Sequence, residues 1–166
     1  MRGVPGFVPE LAFVAELGGK IVGNIMYTKS QVEDAEGDDR DTLTFGPLSV
    51  HPDCQRQGIG EALVRRSLKE ASALGGYDAV LIFGHPEYYP RMGFSPASDF
   101  GITDEDGKSH EALMVYELYA GALDRVSGKL ICDPVYKDLP EEEVEAFDAK
   151  FPPKQKKYKG EPKNQK

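Results

Sequence analysis

The sequence predicts an α/β fold, in which a mixed and mainly antiparallel sheet is flanked by helices. Two alternating apolar strands joined by a short glycine turn come first in the chain, as expected for an antiparallel hairpin. An apolar strand, an amphipathic helix and another apolar strand then follow in direct succession, which is the pattern of a β-α-β unit with parallel strands. With 166 residues, of which 40% are hydrophobic, the chain is expected to form one domain over residues 1–150.

The predicted hairpin consists of strands at residues 11–17 and 21–28, with a tight turn at 18–20. Residues 31–41 are rich in Asp, Glu and Gly, so this segment is predicted to be a surface loop. The next strand is predicted at residues 42–50, where it leads the chain into a second glycine-containing loop.

A helix is predicted at residues 58–73, because Val64, Leu68 and Ala71 recur on one face. The pair of glycines at 75–76 is a normal signal for its end. Shorter patterns predict the remaining elements, which are strands at 79–83, 112–118 and 129–132 and a short acidic helix at 139–150.

Composition and charge narrow the possible partners and the compartment. The net charge of −8 argues against nucleic-acid binding, which needs a basic face. The charge is uneven, since residues 151–166 are predicted to be a basic, disordered tail. Cys54 and Cys132 show no pairing pattern, as expected in a reducing cytoplasm. No stretch approaches the roughly 20 apolar residues of a membrane span, so no membrane partner is expected.

The polar loop before the helix contains Gly58 and Gly60. The first turn of a helix leaves backbone N–H groups without intrahelical partners and carries partial positive charge, and glycine lets an anion approach that backbone closely. We therefore expect a phosphate or pyrophosphate ligand. Glu61 follows Gly60 where a Walker loop needs Lys, and Leu63 stands where a dinucleotide fingerprint needs Gly or Ala. A βα turn that uses glycine only for tight packing stays open.

The motif QxxGxG at residues 55–60 resembles the acetyl-CoA signature of the GCN5-related N-acetyltransferase (GNAT) superfamily. Tyr89, which stands four residues before the Gly-Phe pair at 93–94, is similar to the second block of that superfamily. More narrowly, residues 84–94 resemble the bacterial YhbS-like group of predicted N-acetyltransferases. The resemblance covers about residues 11–130.

The resemblance implies that acetyl-CoA is the cosubstrate and that no metal is needed. Loop N–H groups would hold the pyrophosphate, and the edge of the preceding strand would pair with the pantetheine arm. The residues implied to bind acetyl-CoA are Leu48, Ser49, Val50, Gln55, Arg56, Gln57, Gly58, Ile59, Gly60 and Glu61. The implied reaction is direct attack of a neutral amine, from a small molecule or a protein, on the thioester, with a backbone N–H near Val50 stabilising the oxyanion.

Tyr89 occupies the position of the general acid that protonates the leaving thiolate, although a packing role stays open. Tyr88 is expected to face the other way and to be structural. Arg91 is expected to be a surface or ion-pair residue. The general base stays open among Glu10, Glu16 and a relayed water.

The chain departs from the family pattern at its start. Family members normally have a strand and two helices before the hairpin, whereas residues 1–10 contain glycines and prolines that leave no room for a helix. Either the start is truncated or a partner, such as a second copy in a homodimer, covers the open face. The alternative function is therefore a non-catalytic acyl-CoA-binding or protein-interaction module. The acceptor amine stays unidentified.

Overall fold

A computed structural model describes residues 2–34, 36–124, 126–137 and 140–152. The chain divides into two compact units, Met1–Val135 and Tyr136–Lys166. Within the described part of the second unit lies one α-helix, Glu141–Asp148, which has three glutamates in its first turn. Acidic residues there favour a helix because they oppose the positive end of its dipole. The predicted start of this helix at residue 139, and the predicted basic tail from residue 153 onward, lie outside the described residues.

The first unit contains a nine-stranded sheet and one long helix. In chain order, its elements are β1 (Phe7–Leu17), β2 (Lys20–Glu33), β3 (Arg40–Phe45), β4 (Ser49–Val50), α1 (Ile59–Leu74), β5 (Ala79–Phe83), β6 (Ser95–Pro96), β7 (Ile102–Thr103), β8 (Leu113–Glu117) and β9 (Gly128–Cys132). We label the helix of the second unit α2. Most predicted elements are confirmed to within a few residues, whereas the two-residue strands β6 and β7 had no sequence signal.

The sheet order is β6-β8-β5-β3-β2-β9-β7, and β1 and β4 also pair with β2. The pairs β3–β5 and β7–β9 are parallel and the others are antiparallel. The predicted mixed, mainly antiparallel sheet is therefore confirmed. The β1–β2 turn has two residues, Gly18 and Gly19, whose φ angles of 58° and 77° fit the tight turn that joins twisted strands.

The predicted loop at residues 31–41 is wrong at both ends. β2 continues to Glu33 and β3 begins at Arg40, with Val32 opposite Arg40 and Gln31 opposite Asp41. The Gln31 side chain donates a hydrogen bond to Asp41 across the strands, whereas Val32 is fully buried. Polar residues on the exposed face of a two-sided strand thus resembled a loop.

The predicted single strand at residues 42–50 is also wrong, because a β-bulge divides it. β2 pairs Tyr27 with Phe45 but Asn24 with Ser49, so two residues of β2 lie opposite the three residues 46–48. Pro47 lacks the N–H that a continuous ladder requires. The bulge shifts the register of β4 by one residue, and this determines which groups face the site described below.

Helix α1 packs on one face of the sheet, with its apolar stripe of Leu63, Val64, Leu68 and Ala71 buried. Within this face, the hydroxyl of buried Tyr27 is 2.7 Å from Ser67 Oγ. The opposite face packs against a 3-10 turn at Ala97–Phe100 and against loop segments, which contribute buried residues such as Ala97 and Leu123. In the described part of this unit, the one α-helix therefore covers one face of the sheet. Chain segments that connect the later strands cover the other face.

The hairpin carries three exposed apolar side chains at its turn end, Val14, Leu17 and Ile21. Ahead of β1, the described residues form turns and bends. The predicted homodimer across an open face stays a prediction.

Candidate functional site

The loop before α1 presents a row of free backbone donors. Gly58, the residue before the helix, has a left-handed φ of 81°, and the first helical bond runs from Ala62 N–H to Gly58 C=O. Within the described ranges, no group accepts a hydrogen bond from the six N–H groups of residues 56–61. Six such donors at the positive end of a 16-residue helix form a site suited to an oxyanion.

The strand before this loop also directs its backbone toward the same region. His51 N–H donates to Val22 C=O, and Val50 lies opposite Gly23. Because hydrogen-bonded and non-hydrogen-bonded pairs alternate in an antiparallel ladder, the N–H and C=O of Val50 point away from β2. Val50 C=O accepts a bond from the Gln55 side chain at 3.1 Å, whereas Val50 N–H is directed toward the open edge.

A pocket of about 600 Å³ lies between the loop and the turn that follows β5. Its lining residues are Leu48, Val50, Cys54, Gln55, Arg56, Gly58, Ile59, Gly60, Glu61, Tyr88 and Arg91. The backbone at Gly60 lies close to two other lining residues, since a Cβ on Gly60 would lie 3.2 Å from the Tyr88 hydroxyl and 3.7 Å from Val50 Cγ2. The free N–H donors and the glycine approach fit the diphosphate group of coenzyme A.

The pocket contains eight of the ten residues predicted to bind acetyl-CoA, and it does not include Ser49 or Gln57. Ser49 forms a hydrogen bond with Asn24 through its side chain, so it faces β2. Gln57 donates to Asp53 C=O at 3.2 Å, and Gln55 donates to Val50 C=O. These glutamine side chains therefore hold the shape of the loop.

Tyr89 lies where β3 and β5 separate. Their parallel pairing consists of Thr42 with Ala79 and Leu43 with Val80, although both strands continue further. The Tyr89 ring spans this gap, with its centroid 6.0 Å from that of Phe45, and it covers Gly84 of the β5 edge. Burial, and secondarily the neighbouring Tyr88 phenol, raise the pKa of Tyr89 above its ordinary value of 10.0. Tyr89 therefore keeps its proton at neutral pH.

The prediction that Tyr88 faces the other way is wrong. The two tyrosine rings contact edge to face, with centroids 5.0 Å apart, and the Tyr88 hydroxyl lies beside Gly60. Tyr88 and Tyr89 begin a 3-10 turn, Tyr89–Met92, in which adjacent side chains do not point to opposite sides as in a strand. Tyr88, and not Tyr89, lines the pocket.

Arg91 was predicted to be a surface or ion-pair residue, and it is exposed, whereas the described part of the chain provides no ion pair for it. Its Nε donates to Tyr88 C=O at 2.9 Å, and its guanidinium carbon lies 4.3 Å from the centre of the Tyr88 ring. In the described ranges no carboxylate lies within 4.0 Å of it. Arg91 therefore brings an uncompensated positive charge to the pocket, and its position two residues after Tyr89 was the available signal.

Other candidate residues lie further from the pocket. Glu10 lines a separate groove with residues 74–77, at the C-terminal end of α1, whereas the pocket is at the N-terminal end. A 16-residue helix is about 24 Å long, so Glu10 lies well away from the pocket at the start of α1. His85 accepts a weak hydrogen bond from the N–H of Glu87, within the turn that follows β5.

The described residues lack two further features. They contain no group of three or more His, Cys, Asp or Glu side chains arranged to hold a metal ion. None of their helices combines the length and the apolar character needed to cross a membrane.

Sequence comparison links the chain to acetyltransferases. A family model described as an acetyltransferase (GNAT) domain matches residues 9–96, which is just over half of the chain. The uncharacterized N-acetyltransferase YjhQ of Escherichia coli K12 is 37% identical over 90 residues, or 54% of this chain and 49% of YjhQ. The uncharacterized N-acetyltransferase YhbS of the same strain is 28% identical over 110 residues, or 66% of this chain and 64% of YhbS. The chain thus spans about half and somewhat under two thirds of these relatives.

Solved structures have the same fold. E. coli YhbS, a GNAT family N-acetyltransferase crystallised in complex with CoA, superposes with a TM-score of 0.65 at 27% identity, over 73% of this chain and 66% of that one. A GNAT family acetyltransferase from Brucella melitensis in complex with acetyl-CoA gives 0.58 at 22% identity, over 76% and 68%, which shows the fold alone. Family match, relatives and fold agree with the predicted resemblance, and the chain belongs to the GNAT acetyltransferase family.

Proposed function

We propose that this protein is an N-acetyltransferase that binds acetyl-CoA at the start of α1 and transfers its acetyl group to an amine by direct nucleophilic attack. The observation that carries the proposal is the row of six free N–H groups at residues 56–61, placed next to the outward-facing backbone of Val50. The complex of YhbS with CoA supports the same type of ligand.

Backbone groups would supply most of the binding. The N–H groups of residues 56–61 would donate to the pyrophosphate, and the positive charge of Arg91 at the rim favours the same anion. Val50 would pair with the pantetheine arm, as a strand edge pairs with an added strand. When bound, acetyl-CoA supplies an activated acetyl thioester.

Two groups of this chain would then act on the reaction. The Val50 N–H would donate to the negative charge that develops on the carbonyl oxygen, and a donor of this kind contributes about 2.7–4 kcal/mol in comparable sites. Tyr89 would donate its proton to the leaving thiolate, since burial raises the pKa of its phenol above 10.0 and the group therefore carries a proton at neutral pH. The acceptor is an amine of a small molecule or a protein.

A non-catalytic acyl-CoA-binding module is the second candidate. One observation favours it: Tyr89 does not line the pocket, and its ring packs between Phe45 and Phe94, with centroids 6.0 and 5.5 Å away. A tyrosine held in this way can be a structural residue instead of an acid.

Calorimetry with acetyl-CoA, together with an assay of free CoA release over a panel of amines, separates the two candidates. We expect the wild type to bind and to release CoA. Gly60→Val should lose binding, because its side chain would enter the space beside the Tyr88 hydroxyl and Val50. Tyr89→Phe should bind normally but lose kcat by about 100-fold or more. Tyr88→Phe is the matched control, since it deletes the same hydroxyl one residue away.

The outcomes are distinct. The binding module is supported and the enzyme is overturned if the wild type binds acetyl-CoA but releases CoA with no amine, and if Tyr89→Phe and Tyr88→Phe bind acetyl-CoA with the same affinity. No binding of acetyl-CoA by the wild type overturns both candidates. Unchanged affinity in Gly60→Val contradicts the assignment of the loop.

A further inference from the structure

Two chain segments that are distant in sequence form the walls of the pocket. One wall is the start of α1 around Gly60, and the other is the 3-10 turn that begins after Tyr88. The two walls approach closely, because a Cβ on Gly60 would lie only 3.2 Å from the Tyr88 hydroxyl. A specific polar connection is therefore needed to keep them in register.

Arg65, one turn after Glu61 in α1, provides this connection. Its Nε donates to Glu61 Oε1 at 2.8 Å, and its Nη2 donates to Arg91 C=O at 2.7 Å. Arg91 in turn donates from Nε to Tyr88 C=O at 2.9 Å. The planar guanidinium of Arg65 suits this role, because it presents several donors in fixed directions. One side chain thus links the helix to the turn that carries Tyr88.

The Arg65 side chain also offsets a negative charge at the pocket wall. Glu61 lines the pocket and its own N–H is one of the free donors, so its carboxylate brings a negative charge close to the place where an anion would bind. A carboxylate in the first turn stabilises the helix, but it also repels a bound phosphate. Because Arg65 contacts Glu61 at 2.8 Å, it compensates this charge at the pocket wall.

We propose that Arg65 is a positioning residue of the acetyl-CoA site, which neutralises Glu61 and, through Arg91 C=O, holds the turn bearing Tyr88 and Tyr89 against the start of α1. This inference rests on the proposed function, since it concerns the same pocket. It adds a residue that does not line the pocket and that no motif of the sequence indicates.

Helix α1 contains a matched control. Arg66 forms an ion pair of the same spacing with Glu70, at 2.7 Å, on the exposed side of the helix. Arg66 makes no other polar contact within the described ranges and does not line the pocket. Arg65→Ala and Arg66→Ala therefore remove equivalent helical ion pairs, and only Arg65→Ala also removes the hydrogen bond to Arg91 C=O.

The experiment measures the Kd of acetyl-CoA by calorimetry and the kcat of CoA release for Arg65→Ala, Arg66→Ala, Arg65→Lys and Glu61→Gln/Arg65→Ala. We expect Arg65→Ala to weaken binding by about tenfold, as one exposed unit charge near a phosphate implies, and to lower kcat. Arg65→Lys should recover the affinity, because it restores the charge, but not kcat, because a lysine ammonium lacks the second fixed donor. The double variant should recover affinity without recovering kcat, and Arg66→Ala should resemble the wild type.

The inference is overturned if Arg65→Ala matches Arg66→Ala in both Kd and kcat, or if Glu61→Gln fails to restore the affinity of Arg65→Ala. Both results leave the proposed function intact, provided that the wild type binds acetyl-CoA and releases CoA. A wild type that does not bind acetyl-CoA overturns the proposed function, and the inference with it.

Discussion

Gly84→Ala tests the role of Tyr89 by moving its ring without removing its hydroxyl. A Cβ at position 84 would lie 2.4 and 2.5 Å from two ring carbons of Tyr89 and 3.0 Å from Ile82 Cδ1. Ordinary van der Waals contact begins near 3.4 Å, so the ring must retreat by about 1 Å. Overpacking of this kind destabilises a protein by about 1–3 kcal/mol, and a 1 Å misplacement of a reacting group lowers the rate by about 100-fold.

We therefore expect Gly84→Ala to lower kcat by about 100-fold, while the Kd of acetyl-CoA changes little because Gly84 does not line the pocket. Calorimetry, CoA release and thermal unfolding would be measured on Gly84→Ala, Tyr89→Phe and the double variant. The phenyl ring of Tyr89→Phe keeps the overpacking but lacks the proton, so the double variant should have the kcat of Tyr89→Phe alone. If kcat of Gly84→Ala stays near the wild-type value while the protein is destabilised, the position of Tyr89 does not matter and the acid role is refuted. A further 100-fold loss in the double variant would show that Gly84 acts independently of the hydroxyl.

Two further predictions concern stability. Gly58→Ala should reduce the free energy of unfolding by about 1–2 kcal/mol, because residue 58 has a left-handed φ of 81°, although a Cβ there would meet no atom within 4 Å. Urea unfolding measures this against Gly3→Ala, where a Cβ also has free space but φ is not left-handed. Equal stability of the two variants would contradict the prediction. The Lys108 N–H, and then the His110 side chain, lower the pKa of Asp104 below its ordinary 3.8, so its stabilising contribution is present above about pH 3.8 and lost as pH falls through the lower native value. The difference in unfolding free energy between wild type and Asp104→Asn should therefore shrink below pH 3.8, and a difference independent of pH from 2 to 6 would argue against this assignment.

The sequence predicted those elements whose pattern is local. The helix was found because Leu68 and Ala71 recur on one face, and the hairpin because two glycines occupy a two-residue turn. The end of β2 was missed because Gln31 and Asp41 pair on a solvent-exposed face, and only their partner strand shows that they belong to a sheet. The bulge after Phe45 was missed for the same reason, since a register exists only between two strands.

In the candidate site, too, the residues with a local signal were predicted and those that depend on distant contacts were not. Gly58 and Gly60 were found because glycine at a helix start has a direct physical meaning. The placement of Tyr88 was wrong because neighbouring side chains at the start of a 3-10 turn do not point to opposite sides. Arg65 gave no signal at all, because its partner Arg91 C=O is a backbone group 26 residues away in the chain.

The bulge and the separation of β3 from β5 act together to make the site. Without the one-residue shift after Phe45, Val50 would lie opposite Val22, and alternation would turn its N–H toward β2, where it would be used in the sheet. Without the early end of the β3–β5 ladder, a neighbouring strand would occupy the gap that Tyr89 spans. The donor half of the proposed reaction therefore depends on backbone geometry, and side chains such as Gln55 and Gln57 serve it by fixing that geometry. It follows that truncating either glutamine should weaken acetyl-CoA binding through the shape of the loop, and not through a lost contact with the ligand.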